Sequence, residues 1–181
     1  MSIAKMKSEI IALTKLEIAD RQLNEAIRLF FERRDCVSIH TLATASLQIS
    51  LDHLTEDEVI DNSIFLDKRS IYIKDEYRKE FSDHINKSRN FFKHADRDLK
   101  KGISSLEFNP DENEGCIFEA IRALGIASKR REYPTEVKVF MAWLFSRHPT
   151  WIKEEFRAQL VYSAPVSFEG ALDVLTGLKR K

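Results

Sequence analysis

The sequence predicts an all-α fold, a helical bundle with about six or seven helices. Glycine and proline, which punctuate turn-rich β proteins, fill only 5 and 4 of the 181 positions, well below the roughly 12% of average proteins. Apolar residues recur at three- and four-residue intervals, the spacing of a buried helical face. Because 43% of the residues are hydrophobic, the chain can bury a core. Its length favours one domain over residues 1–181, with core hairpins in 14–105 and additional helices in 106–181 packed on the same core.

The first two helices have clear start signals. Thr14 and Glu17 form a capping box, in which each side chain can satisfy a free amide of the first turn. The apolar face behind it is Leu16, Ala19, Leu23, Ala26, Ile27 and Phe30. Asp35 is the expected N-cap of a second helix, which runs to about His53. Its buried side is predicted to carry Ile39, Leu42, Ala43, Ser46 and Ile49. The connection is so short that an antiparallel hairpin is expected.

The middle of the chain is less regular. Residues 54–70 begin with an acidic stretch and are predicted to form a loop with a short helical piece. A third helix is predicted from about Asp75 to Phe92. Its expected apolar face is Tyr77, Phe81, Ile85, Ser88 and Phe92.

The C-terminal part is predicted to hold four more helices. Asn109 as cap and Pro110 at the first helical position start the fourth, which ends before the cations of 129–131. The fifth has the most regular apolar face, formed by Val137, Phe140, Met141, Leu144 and Phe145. It ends before Pro149. Thr150 and Ser167 are the expected caps of a sixth helix, about 151–161, and a short seventh.

Composition excludes several classes of function. Lys and Arg number 29, as do Asp and Glu, so a globally basic nucleic-acid binder is excluded and any polyanion site must be a local patch. The two cysteines form no disulfide framework, and no apolar run suits a signal peptide or a membrane span. We therefore expect a cytoplasmic protein with no membrane partner. Phosphate-loop, GxSxG, HExxH and CxxC motifs are absent, so no cofactor is expected.

The segment from Arg89 to Lys101 carries the strongest functional signal. It has a surplus of three positive charges in a neutral chain. Arg89 can bind phosphate through two nitrogens, while His94 can donate or accept a proton near neutral pH. Those two abilities are the minimum for cleaving RNA through its own 2′-hydroxyl without a metal. On a continuous helix the two residues would lie on different faces, but a helix that ends between them allows His94 to turn back.

Each of these residues also has a purely structural interpretation. The segment fits a polar helix end with its own ion pairs, and Phe91 and Phe92 fit a core as well as base stacking. His40 either reaches the motif or is a core histidine. Cys36, in a first helical turn, is either a reactive thiol or a buried inert one. A metal site at residues 94–98 is opposed by the flanking arginines, so no metal ion is expected.

The order Arg89-Asn90-Phe91-Phe92-Lys93-His94, late in a helix of a small all-α bundle, resembles the signature of HEPN domains (higher eukaryotes and prokaryotes nucleotide-binding). The segments 14–17, 38–43 and 90–96 are similar to those of uncharacterised bacterial HEPN-like proteins, and the resemblance spans about residues 14–147. It implies a bundle of four to five helices, with the HEPN-like core in 14–105. Many members are metal-independent endoribonucleases of toxin–antitoxin, phage-defence or RNA-processing systems.

The resemblance also implies roles for individual residues. Arg89 would bind and polarise the scissile phosphate, Asn90 would orient the site, and His94 would act as acid or base. Two copies of a homodimer would bring these residues into one cleft. Lys93 and Arg97 contribute to the local positive charge and are predicted to contact RNA. The alternative function is a non-catalytic helical module that binds a protein or a nucleotide, with an antitoxin or another protein as its partner.

Overall fold

Helix α1, Lys15–Phe31, begins where the capping box predicts. The computed structural model describes residues 10–62, 64, 66–67, 76, 78–93, 100, 102–148 and 167–178. Thr14 Oγ1 accepts the amide of Glu17 at 3.2 Å, and the Glu17 carboxylate accepts the amide of Thr14 at 2.7 Å. The buried face is Ala19, Leu23, Ala26, Ile27 and Phe31. The predicted start and most of the predicted face are thus confirmed.

Helix α2, Cys36–Leu51, follows after one tight reversal. Arg33 has a φ of 51°, and the amide of Arg34 donates to the carbonyl of Leu29 at 3.0 Å. This pattern is a Schellman motif with arginine in the left-handed position that glycine usually takes. Asp35 then caps α2 by accepting the amide of Ser38 at 2.7 Å. As the short connection predicts, α1 and α2 pack against each other.

In the described ranges between α2 and residue 94, the chain forms two further helices. Helix α3, Glu56–Asp61, is the short helical piece predicted within 54–70, and a capping box of Thr55 and Glu58 opens it. Helix α4, Arg78–Lys93, is the predicted third helix and packs against α2. On its predicted apolar face Ser88 is buried and Phe92 is half-buried.

Helix α5, Glu112–Ala127, packs most closely against α2 and also contacts α1. Its predicted start was wrong by two residues. Asn109 does not cap the helix, because its Oδ1 accepts the amide of Asp111 at 3.1 Å and so closes a turn ahead of it. Helix α6, Thr135–Arg147, buries Val137, Phe140 and Leu144 as predicted.

Helix α7, Phe168–Leu178, is the predicted last helix, and the hydroxyl of Ser167 accepts the amide of Gly170 at 2.9 Å. The predicted helix at about 151–161 lies outside the described residues. An aromatic cluster joins α1, α6 and α7 through edge-to-face and tilted contacts between Phe30, Phe31, Phe140, Trp143 and Phe168. Over the described ranges the chain forms seven helices and no strand, which confirms the all-α prediction. None of these helices has both the length and the apolar character needed to cross a membrane.

Candidate functional site

Arg89 lies where α4 crosses α2. Its Nη1 donates a hydrogen bond of 2.5 Å to Oε1 of Gln48 on α2. Nε2 of Gln48 in turn donates to Oδ1 of Asp52 at 2.6 Å. A neutral amide therefore separates the guanidinium from the nearest carboxylate on α2.

Within the described ranges, this arrangement gives the charge of Arg89 no carboxylate in direct contact. Burial lowers the pKa of its guanidinium, although the negative charge of Asp52 opposes the effect. Over the described ranges Arg89 makes no ion pair, and the bond to Gln48 uses one of the five N–H donors that a guanidinium carries. Among the described residues, the remaining donors have no partner.

Lys93 follows Arg89 by one helical turn, about 6 Å along the axis. Its surface is exposed. The pKa of its ammonium is nevertheless lowered, first because surrounding protein atoms replace part of its water and second because the positive charge of Arg89 is close. In the part of the chain that the structure describes, no carboxylate pairs with Lys93. Arg89 and Lys93 thus form a cation pair on α4 that attracts negative charge.

His40 of α2 is buried behind the cation pair, with 1% of its surface exposed. Its Nδ1 lies 3.1 Å from Oδ1 of Asn113, while Nδ2 of Asn113 donates to the carbonyl of Cys36 at 3.1 Å. Because Asn113 presents its oxygen to the ring, Nδ1 of His40 carries the proton and Nε2 holds a lone pair. Among the described residues, nothing hydrogen-bonds to Nε2.

The environment of His40 favours the neutral ring. Burial is the main cause of its lowered pKa, and the charges of Lys93 and Arg89 act in the same direction. The bond to Asn113 and the charge of Glu112 oppose these effects.

Aromatic side chains enclose the His40 ring. The ring centroids of Phe92 and Phe108 lie 5.5 and 5.0 Å from it, both edge to face. Phe92 and Phe108 also contact each other at 5.3 Å. The structural interpretation therefore holds for Phe92, which packs inside the protein. His40 is a core histidine, but only one of its two ring nitrogens has a partner among the described residues.

A cleft of about 660 Å³ lies on another side of α4. From α4 it is lined by Asp83, Lys87, Asn90 and Phe91. From the segment that precedes α5 it is lined by Ile103, Ser105, Leu106 and Glu107. Asn90 therefore faces this cleft, whereas Arg89 faces α2.

The predicted site residues are thus only partly brought together. Arg89 and Lys93 lie on one side of α4, and Asn90 lies on the neighbouring side. His94 and Arg97 lie outside the described residues, as does the His94–Asp98 segment considered for a metal. Helix α4 ends at Lys93, the residue immediately before His94. Within the described ranges, no group of three His, Cys, Asp or Glu side chains is placed to hold a metal ion.

Sequence reasoning did not find Gln48, Asn113 or Phe108. Gln48 and Asn113 contact Arg89 and His40 across 41 and 73 positions, and Phe108 contacts His40 and Phe92. Nothing in the local sequence of Gln48 or Phe108 indicates these contacts. Asn113 carried the only usable signal, since an asparagine in the first turn of a helix needs a hydrogen-bond partner once it is buried. With 2% of its surface exposed, it finds two.

The cysteines differ in surroundings. Cys36 is half-buried in the first turn of α2. Cys116 is buried, with its Sγ 4.0 Å from Nδ1 of His40. Burial, reinforced by the nearby charge of Glu112, raises the pKa of the Cys116 thiol to about 12. That thiol is protonated at neutral pH, so it is a packing group and a poor nucleophile.

Comparison of the chain with protein-family models, with curated proteins and with solved structures found no match.

Proposed function

We propose that this chain is a HEPN-like, RNA-directed protein of the cytoplasm, which cleaves RNA as a homodimer without a metal ion. The observation that carries the proposal is the cation pair of Arg89 and Lys93, which no carboxylate neutralises within the described ranges. Desolvated cations bind phosphate more strongly than fully hydrated ones, because less water must be removed from them. A phosphodiester would supply the charge that the pair lacks.

The proposed reaction is a transfer within the RNA backbone. The 2′-oxygen attacks the adjacent phosphorus, the bond from phosphorus to the 5′-oxygen breaks, and the products are a 2′,3′-cyclic phosphate and a 5′-hydroxyl. One proton leaves the 2′-hydroxyl and one must reach the departing 5′-oxygen. Arg89 holds the non-bridging oxygens, and His94 from the two copies supplies one proton acceptor and one donor. DNA is resistant because it lacks the attacking hydroxyl.

The test of catalysis compares His94→Ala with the wild-type chain on single-stranded RNA in EDTA. His53→Ala is the matched control, since His53 is exposed and, among the described residues, its ring bonds to the carbonyl of Ile49 in the preceding helical turn. We expect the wild type and the control to leave cyclic phosphate ends, and His94→Ala to be slower by about 100-fold or more. Equal cleavage by wild type and His94→Ala, or cleavage that EDTA abolishes, would contradict the mechanism.

The test of phosphate binding uses Lys93→Ala, with Lys79→Ala as its control. Both lysines are exposed on α4, and their 14-residue separation puts them on nearly the same face but about 21 Å apart. Losing one phosphate contact should reduce the salt dependence of single-stranded RNA affinity by about 0.7 in the log–log slope. Lys79→Ala should leave the slope unchanged, and equal slopes for all three proteins would exclude the cation pair as the phosphate site.

A second function is favoured by the bond from Arg89 to Gln48, which turns the guanidinium toward α2 and makes it part of the packing of α4. In that case the chain is a non-catalytic module for a nucleotide or for a protein such as an antitoxin. RNA binding with a Lys93-dependent salt slope but without cleavage would support the nucleotide-binding form. Absence of RNA binding would favour a protein partner.

A further inference from the structure

The cleft on α4 combines apolar walls with both hydrogen-bond donors and hydrogen-bond acceptors. Phe91 on the helix, with Ile103 and Leu106 on the opposite segment, supplies apolar surface. Asn90 can donate and accept hydrogen bonds, and Glu107 can only accept them while ionised. At about 660 Å³, the cleft is large enough for a small planar ligand with part of its substituent. An aromatic wall with a few polar groups is the usual composition of a nucleobase site.

Three charged side chains line the cleft, namely Asp83 and Lys87 on α4 and Glu107 on the opposite segment. Asp83 and Lys87 are four residues apart on α4, the spacing at which opposite charges on a helix attract. Glu107 lies on the other wall, and over the described ranges it forms no ion pair. Glu107 is the carboxylate that the wall opposite α4 presents to the donors of a ligand.

Guanine is the base whose polar edge matches these groups best. Its N1–H and N2–H₂ are adjacent donors that one carboxylate can accept together, and its O6 is an acceptor for Asn90 or Lys87. Uracil presents two carbonyl oxygens on either side of a single donor, which a carboxylate would repel. Adenine and cytosine each offer one exocyclic amino group and no second donor beside it.

The cleft also lies next to the cation pair. Successive residues turn by about 100° around a helix, so Lys93 projects about 40° from Arg89 and about 60° from Asn90. Lys93 is thus between the guanidinium and the cleft. A nucleotide whose base enters the cleft has its phosphate beside Lys93 and Arg89.

We propose that this cleft is a guanine subsite, with Glu107 accepting from N1–H and N2–H₂ and Phe91 packing on the base. The subsite rests on the proposed function, because it assigns a base preference to RNA that the cation pair holds by its phosphate. It predicts that RNA is bound, and cut, beside a guanine.

The experiment measures binding of guanosine 3′-monophosphate and inosine 3′-monophosphate to the full chain, by calorimetry and by amide chemical shifts. Inosine lacks only the N2 amino group. We expect it to bind about tenfold more weakly, and the guanine ligand to shift the amides of Phe91 and of residues 103–107. Glu107→Gln should abolish the preference. Asp111→Asn, an exposed carboxylate outside the cleft, should retain it.

Guanosine and inorganic phosphate, used separately, distinguish the two proposals. If guanosine alone shifts the cleft amides while phosphate binds nowhere, the guanine subsite stands and the phosphate site falls. If phosphate binds in a Lys93-dependent manner while guanosine and inosine bind equally or not at all, the guanine subsite is overturned and the phosphate site stands. A preference that survives Glu107→Gln also overturns the subsite as assigned.

Discussion

The buried ring of His40 makes a sharp prediction about pH and stability. In the folded protein burial and the charges of Arg89 and Lys93 lower its pKa, whereas in the unfolded chain the ring titrates near the ordinary value of 6.5. Below that pH the unfolded state binds a proton that the folded state does not, so unfolding becomes more favourable. The contribution of the neutral His40 ring to the free energy of unfolding is therefore complete above about pH 6.5. It is lost as the pH falls toward the lower pKa that the ring has in the folded protein.

The size of this pH effect on the free energy of unfolding follows from the uptake of one proton by His40 in the unfolded chain. Each pH unit inside the window changes the free energy of unfolding by at most about 1.4 kcal/mol. Between pH 7.5 and pH 5.5 the loss therefore has an upper limit of about 1.4 kcal/mol, because the ring of the unfolded chain is only partly protonated at the start of the window. For a chain of this length that corresponds to a decrease of about 3–5 °C in Tm.

The assay is urea denaturation of the wild type and of His40→Gln at pH 5.5, 6.5 and 7.5. Glutamine keeps an amide donor for Asn113 but does not titrate, so other ionisable groups cancel in the difference between the two proteins. We expect the wild type to lose about 1 kcal/mol more than the variant on acidification. His53→Gln, at an exposed position, should behave as the wild type. Parallel pH profiles for wild type and His40→Gln would refute the assignment of a buried neutral ring.

Two other predictions concern the bundle. Lys129 is exposed at the end of α5 and has a φ of 49°, which is the left-handed conformation that glycine adopts without strain. Lys129→Gly should therefore raise the free energy of unfolding by about 0.5–1 kcal/mol in urea denaturation. A decrease would contradict this. Arg28 on α1 donates to the buried carboxylate of Glu136 on α6 at 2.5 Å. Glu136→Gln should therefore lower the free energy of unfolding by about 1–2 kcal/mol. The exposed control Glu132→Gln should change it by less than about 0.5 kcal/mol.

Most of the fold could be predicted because its signals are local. The capping box of Thr14, the cap at Asp35 and the apolar spacing of α6 act within one or two helical turns, and each marks a real element. The failure at Asn109 has the same origin. An Asn-Pro pair suits both a helix start and a turn, and the choice of the turn depends on a hydrogen bond to Asp111 that spacing does not encode.

The site was less predictable because its partners are distant in sequence. Arg89 stands out by its neighbours in the chain, but its contact with Gln48 spans 41 positions, and the bond of His40 to Asn113 spans 73. Helical periodicity could have predicted that Asn90 and Arg89 lie on different faces of α4, since adjacent residues on a helix point about 100° apart. What lies opposite each face is decided by tertiary packing, which periodicity alone does not supply.

The choice of glutamine at position 48 bears on what Arg89 is for. A carboxylate at that position would neutralise the guanidinium directly. Gln48 orients the guanidinium through one short hydrogen bond to its Oε1. The carboxylate of Asp52 bonds to the other end of the Gln48 amide, at Nε2, so the amide separates the two charges. Over the described part of the chain, Arg89 is thereby oriented without forming an ion pair. Among the described residues the cation of Arg89 therefore remains incompletely neutralised beside Lys93, which is the feature on which the proposed phosphate site depends.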